Sequence, residues 1–372
     1  LAYFEELVAF PTYNPIREDF YRNRDGRYGA DVEDLLYNGP FEMTVWVHGA
    51  HLRLEKNIDY WNRERVRLNV IDIPYFTTDT TAALNLFKDG QIAIVDYLGA
   101  EQLDEVLQQR WELLRFGDGS VWFLAFNFDS GRVTSNWHLR KALQLVTDPS
   151  ELVNRIIKLP GNLPGESLFP VWLQGIDGFF RQEYPAPHIA LDADAAREHL
   201  RLAMEELGLD EPPSLALLVD DTPGAGRQAE YFQNLYGTQL GIDIRIDRQI
   251  FKQRLAKMQN QDFDIATYGW GPDFADPLTF GELFASWNPN NNGRFSNREY
   301  DQSVRLTQSS LDPRIRMDAF GRQQEILSEE VALIPNYERG RVYIKDRRLQ
   351  GVVRRAVGPD PDFTNAYIVE TP

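Results

Sequence analysis

Cysteine is absent from all 372 residues. That excludes a cysteine nucleophile, a thiolate metal site and any disulfide, while leaving the cellular compartment open. Lysine is scarce, supplying seven of the 39 basic residues, so the cationic surface is arginine-biased. Against 56 acidic residues the net charge is −17. A field of that sign repels polyanions, and no nucleic-acid partner is expected. No apolar run approaches the roughly 20 residues of a membrane span, and no secretion signal is present. The chain begins at Leu1 rather than Met, and Leu1-Ala2-Tyr3-Phe4-Glu5-Glu6-Leu7 reads as the middle of a helix, which suggests a trimmed N-terminus.

Catalytic signatures are equally lacking. There is no Walker A loop, GxGxxG, GxSxG or HExxH. Gly224-x-Gly226 lacks the third glycine and the preceding dinucleotide context. His48-x-x-His51 is the one close histidine pair, and it lies on or beside a strand, where residues i and i+3 point to opposite faces. No metal site, cofactor or enzymatic activity is therefore expected. Acidic pairs such as Glu205-Glu206 read as solvated helix faces.

What is present describes a folded chain: 43% hydrophobic, with 22 Phe, 16 Tyr and 8 Trp. Its length exceeds one hydrophobic core, so two lobes are expected. The first stretch is strand-rich, with strands over 43–49, 52–56, 66–73 and 92–96 and a helix from Thr78 to Lys88. A strand over 121–127 and helices over 137–146 and 149–158 follow. Residues 158–187 then hold five prolines and four glycines, too many for long elements. Beyond them strand and helix alternate: helix 192–207 ending at Gly208, strand 214–219, helix 228–239, strand 242–247, helix 251–259, strand 263–268. That rhythm predicts an α/β lobe. Helices over 297–311 and 313–331 and strands over 341–345 and 366–369 finish the chain. The expected division is 1–151 as a partial, strand-rich lobe I, 152–340 as lobe II, and 341–372 as the return to lobe I.

Tyr268-Gly269-Trp270-Gly271-Pro272-Asp273-Phe274-Ala275-Asp276-Pro277 is the most informative stretch. Gly269 and Gly271 leave the backbone uncovered, so that another main chain can approach. Asp276-Pro277 reads as an N-cap and first helical residue of a helix through about Ser286. Asp273 has no capping role. It is either an Asx-turn residue with Trp270 in the core, or a partner for a ligand ammonium beside Trp270 and Phe274. Its place at the carboxyl end of a strand, where open α/β sheets put ligands, favours the second.

Several stretches, in order, carry a resemblance: Gly39-Pro40-Phe41; Leu54-x-Lys56-Asn57-x-x-Tyr60-Trp61; Asn136-x-x-x-Arg140-x-Ala142-Leu143; Tyr268-Gly269-Trp270-x-x-Asp273-Phe274-x-x-Pro277; Phe295-Ser296-Asn297-x-x-Tyr300-Asp301; and Ile334-Pro335. On these the chain resembles the extracellular solute-binding proteins of family 5, the oligopeptide- and dipeptide-binding components of ABC importers. The match spans nearly the whole chain and about the last two-thirds of the family pattern. The beginning of that pattern, with its secretion signal, first strands and accessory domain, is not matched.

The resemblance implies an α/β, type II periplasmic-binding-protein-like fold, two lobes with mixed sheets flanked by helices and joined by a hinge. It implies capture of peptides for a membrane permease, outside the cytoplasm, with a lipid anchor through the unmatched segment. A monomer is expected for the complete protein, and a dimer is possible for a truncated chain. By the same resemblance Asp273 pairs with the peptide ammonium, and Gly269, Trp270 and Gly271 bond to its main chain as an added strand. Phe251 lines the pocket, and Asn127 and Arg339 are further candidates. No arginine stands on or just before the 263–268 strand, where some members clamp the peptide carboxylate; Thr267 and Met258 occupy that region. The same fold binding an oligosaccharide or another small solute is the alternative, and a hydrolase is a more distant one.

Overall fold

The computed structural model describes residues 1–77 and 79–370. The chain forms two compact units. One comprises Leu1–Leu7 with Gly117–Gly340, the other Val8–Phe116 with Arg341–Pro372.

In the second unit, strands β1 (Phe41–Val47), β2 (His51–Lys56) and β3 (Val70–Ile73) form an antiparallel sheet in that order. The pairing of Val47 with His51 closes a tight hairpin, which Gly49 permits with a φ of +72°. The strand expected from Val66 starts only at Val70: Val66 is buried and its carbonyl accepts from the Lys56 ammonium at 2.8 Å. Helix α1 (Thr80–Lys88) opens on the Asp79 carboxylate, which accepts from the N–H groups of Thr81 and Ala82. The expected helix start, Thr78, lies outside the described residues. A short strand β4 (Ile94–Val95) pairs with residues 344–345.

The first unit is built on the alternating strands and helices of its sequence. Strand β5 (Leu114–Phe126), whose first three residues belong to the other unit, pairs antiparallel with a later strand over Ile265–Trp270. Short strand β6 (Leu163–Pro164) precedes β7 (Ser214–Asp220), β8 (Asp243–Gln249), that later strand, β9, and the long β10 (Leu333–Lys345). The order is β10-β5-β9-β7-β8, with β7 parallel to both β8 and β9.

Both faces of this sheet are covered, and the period of two in the strands divides their side chains between two cores. Val121, Phe123 and Ala125 join Phe169, Phe180, Phe280 and Phe320 on one face. Leu124 and Phe126 face the other way, among residues of α2 (Trp137–Val146), α3 (Ala193–Leu207) and α4 (Pro223–Leu240). Each of these helices starts on a side-chain cap, from Asn136, Asp192 and Thr222 respectively. Gly208 and Gly241 end the latter two at φ of +66° and +69°. Arg140, in the Asn136-x-x-x-Arg140 motif, is buried and donates to the carbonyls of Thr134, Ser135, Glu330 and Val331. The motif therefore fastens α2 to the segment before β10.

The proline-rich stretch 158–187 lies wholly inside this unit and gives Leu168, Phe169, Leu173 and Phe180 to its core. The chain passes between units at Phe116/Gly117 and Gly340/Arg341. Residue 151 is not such a crossing. Prolines and glycines there serve a winding core segment instead.

Candidate functional site

Every candidate residue except one that proves structural gathers at the carboxyl end of β9 or beside it, within the first unit. The local physics begins with the strand edge. Asp264 is split between its neighbours, its carbonyl accepting from the Asn127 N–H on the β5 side at 3.1 Å and its N–H donating to the Ala216 carbonyl of β7 at 3.2 Å; beyond it, residues 266, 268 and 270 turn their hydrogen-bonding groups toward β5. Residues 265, 267 and 269 turn theirs the other way. On that side the pairing with β7 ends at Ala266. The Thr267 carbonyl is taken by Arg254 Nη1 at 3.1 Å. At Gly269 no strand or side chain among the described residues pairs with this edge.

Arg254 was not singled out in the sequence. It sits on α5 (Phe251–Gln259), is buried, and is locked by an ion pair from Nε to Asp220 Oδ1 at 2.7 Å. Its spacing of three from Phe251 on a helix puts the two on one face, with the guanidinium 5.6 Å from the Phe251 ring centre. Phe251 itself is on the first turn and 63% exposed, an uncovered aromatic beside the edge that Arg254 caps.

The other face of Gly269 is occupied. Register places it opposite Trp122 of β5, whose indole stacks on Tyr337 at 5.9 Å and 4°. Gly271 lies over Ser120, whose hydroxyl would be 3.3 Å from an added Cβ. Arg339 Nη2 donates to that same hydroxyl at 3.3 Å, and Nε is paired with Asp118 at 2.6 Å. The sequence-nominated arginine is thus brought to the site but is committed to Asp118 and Ser120.

Asp273 follows in a loop held by Thr279 (on helix α6, Leu278–Gly281), whose hydroxyl accepts from the Asp273 N–H at 3.1 Å and faces the Trp270 indole N–H at 3.5 Å. The carboxylate of Asp273 is half-buried, and burial pushes its pKa above the usual value. Among the described residues none forms an ion pair with it or donates a hydrogen bond to it. Glu282 lies three residues past Thr279, on the same face of the turn. Burial chiefly, and the Asp273 charge in part, raise its pKa too.

Three expectations are corrected. The helix expected from Asp276 through about Ser286 is only Leu278–Gly281. Asp276 does accept from the Leu278 N–H, but it is buried in an ion pair with Arg316 at 2.8 Å. Phe274 turns into the core, stacked on Tyr3 at 5.9 Å, and does not wall a pocket. Asn127 is fully buried: its amide donates to the carbonyls of Gln261 and Phe263 and its oxygen accepts from the Asp129 N–H. With its hydrogen bonds spent on the chain, it has nothing to offer a ligand.

The residues that pattern reading passed over are Trp122, Arg254, Thr279 and Glu282. Only Trp122 and Arg254 had a signal, the period of two on β5 and the i, i+3 spacing from Phe251. The arrangement offers an extended main chain an open strand edge at Gly269, with Trp270 partly exposed alongside and an uncompensated carboxylate a few residues on.

The family pattern described as bacterial extracellular solute-binding proteins, family 5 middle, matches residues 2–292. The oligopeptide-binding protein OppA of Bacillus subtilis is 28% identical over 382 residues, covering 98% of this chain and 67% of that protein. The dipeptide-binding protein DppE of the same organism is 25% identical over 356 residues, covering 96% and 64%. The chain thus spans about two thirds of the length of these curated relatives. Among solved structures, the substrate-binding domain of an oligopeptide ABC transporter from Bacillus anthracis superposes with a TM-score of 0.86 at 32% identity, over 100% of this chain and 72% of that one. Listeria monocytogenes OppA bound to peptide gives 0.86 at 27% identity with the same coverage.

Proposed function

The chain belongs to family 5 of the bacterial extracellular solute-binding proteins and has the type II periplasmic-binding-protein fold, and on that premise we propose that it captures peptides and delivers them to a membrane permease. Family members are binding proteins, and this one acts as a receptor without chemistry of its own. The family is extracellular or periplasmic, and we place this chain at the outer face of the cytoplasmic membrane, held there through a lipid, a reading the family relationship supports. No helix among the described residues is long and apolar enough to cross a membrane.

The observation that carries the reading is the Asp273 carboxylate, half-buried and without a cation among the described residues. Desolvation without a partner costs stability, and a peptide ammonium supplies the missing charge. Next to it the open edge of β9 at Gly269 accepts the peptide main chain as a further strand. Recognition through main chain and terminus leaves side chains unread, so one receptor serves many sequences. Relatives whose names state oligopeptide or dipeptide binding support the same reading.

Asp273→Ala should weaken peptide binding by about 2–5 kcal/mol, measured by calorimetry, since the desolvated ammonium loses its partner. Acetylating the peptide's amino group should have a similar effect on the wild-type protein. Unchanged affinity in the variant sinks this role for Asp273. Oligosaccharide capture is the second reading, favoured by the partly exposed Trp270 and exposed Phe251 as stacking plates. It predicts that aromatic substitutions outweigh Asp273→Ala and that acetylated peptides are irrelevant.

A further inference from the structure

Far apart in sequence, His138 on the first turn of α2 and His199 on α3 meet where these two helices pack. Their Nδ1 atoms are 2.7 Å apart and their ring centres 5.0 Å. The centroid separation is little more than the N···N distance plus the two ring radii, so the nitrogens point at each other head to head. One proton lies between two lone-pair directions. Both rings are half-buried, and Trp137 stands edge-on to each, at 5.1 and 5.4 Å.

We propose that this pair is a binding site for a first-row divalent transition-metal ion, such as zinc, which ties α2 to α3. Imidazole nitrogens are the commonest side-chain ligands for such ions. The far side of His138 is set up for the role. Glu206 Oε1 is 3.7 Å from its Nε2, and Asn136 holds the other oxygen of that carboxylate at 2.7 Å. A carboxylate on Nε2 favours the proton there and leaves Nδ1 free to ligate, the arrangement that supports metal-bound histidines. Glu206 faces Nε2 and not Nδ1, and no cluster of three or more ligating side chains occurs among the described residues. Water fills the remaining positions.

Metal–nitrogen bonds of about 2.0–2.1 Å in a tetrahedral shell put the two nitrogens roughly 3.3 Å apart. The rings must separate by about half an ångström and each turn by roughly 35° so that both lone pairs converge on a tetrahedral ion, movements that half-exposed side chains at a helix surface allow. No electron changes hands. In the neutral pair the proton between the nitrogens moves to the Nε2 of its own ring as the ion enters, so none is released. In acid, protons compete for both nitrogens.

Titrating zinc chloride into the peptide-free protein in a calorimeter should show one equivalent bound at pH 7.5, with affinity falling at least about tenfold by pH 5.5. His199→Gln and, separately, His138→Gln should each lower affinity by at least about tenfold, the scale on which such sites respond to losing support. His51→Gln should leave it unchanged. Copper(II) should quench Trp137 fluorescence in the wild type and not in His199→Gln. Thermal unfolding without metal checks that the variants fold. Absence of zinc binding at millimolar concentration, equal binding by a folded His199→Gln, or loss of binding in His51→Gln would each overturn the proposal.

Discussion

A Cβ added to Gly269 would lie 2.6 Å from Cε2 of Trp122; the main chain of β9 rests on the indole of the neighbouring strand. The indole cannot yield, because Tyr337 is stacked on it and the Arg339 guanidinium lies 5.2 Å from its ring centre. Glycine is required here by close approach and not by an unusual φ. Gly269→Ala should cost about 1–3 kcal/mol of stability through overpacking and displace the open edge. Urea unfolding and peptide calorimetry check both, and a variant with native stability and affinity would contradict this account.

Peptide capture should depend on pH through Asp273. Burial raises its pKa in the empty protein, whereas a bound ammonium favours the charged form and lowers it. Affinity should therefore rise with pH through the raised pKa of the empty site and level off above it. Asp273→Ala should flatten that rise. Affinity that falls with pH over this acid range would have the wrong sign.

Asn127→Ala should damage folding and spare binding. It strands the buried carbonyl of Phe263, at about 1–3 kcal/mol for an unsatisfied group, while the Gln261 carbonyl keeps its bond from Arg132 Nη2 at 2.9 Å. Peptide affinity of the folded fraction should stay within about twofold of wild type. Selective loss of affinity at native stability would restore Asn127 to the site.

Glu338 on β10 is buried, and its pKa is pushed up to about 7, with desolvation the largest cause and the Val171 N–H, at 3.0 and 3.2 Å from its two oxygens, opposing. A carboxyl whose folded pKa is raised stabilises fully below its unfolded value of 4.5, and that contribution is lost as pH rises through about 7. The part lost is on the order of 3 kcal/mol at 1.36 kcal/mol per unit. Glu338→Gln should remove most of this dependence, so its thermal midpoint should gain on wild type between pH 5 and pH 8. Parallel curves for the two proteins would show that Glu338 does not titrate in this range.

Much of the fold was legible because its signals are local. Helices 137–146 and 251–259 have the bounds read from the sequence, and α3 ends where Gly208 places its end. Elements whose limits depend on distant partners were misjudged. β10 runs from Leu333, although only 341–345 reads as strand, because its ladder partners supply the reason to stay extended. The helix expected after Asp276 is cut short where Asp276 is drawn into its pair with Arg316.

The sequence by itself determined that the chain is a two-unit α/β protein without thiol chemistry, and it marked the Gly269–Asp273 loop, because composition, period and glycine placement act over a few residues. Only the tertiary structure decided which polar groups remain available. Asn127 and Arg339 are spent on partners, Arg254 closes the strand edge at Thr267, Gly269 leaves it open, and His138 meets His199. A side chain's freedom to bind depends on whether its hydrogen bonds and charge are already satisfied. Those partners arrive from elsewhere in the chain, so no local pattern records them.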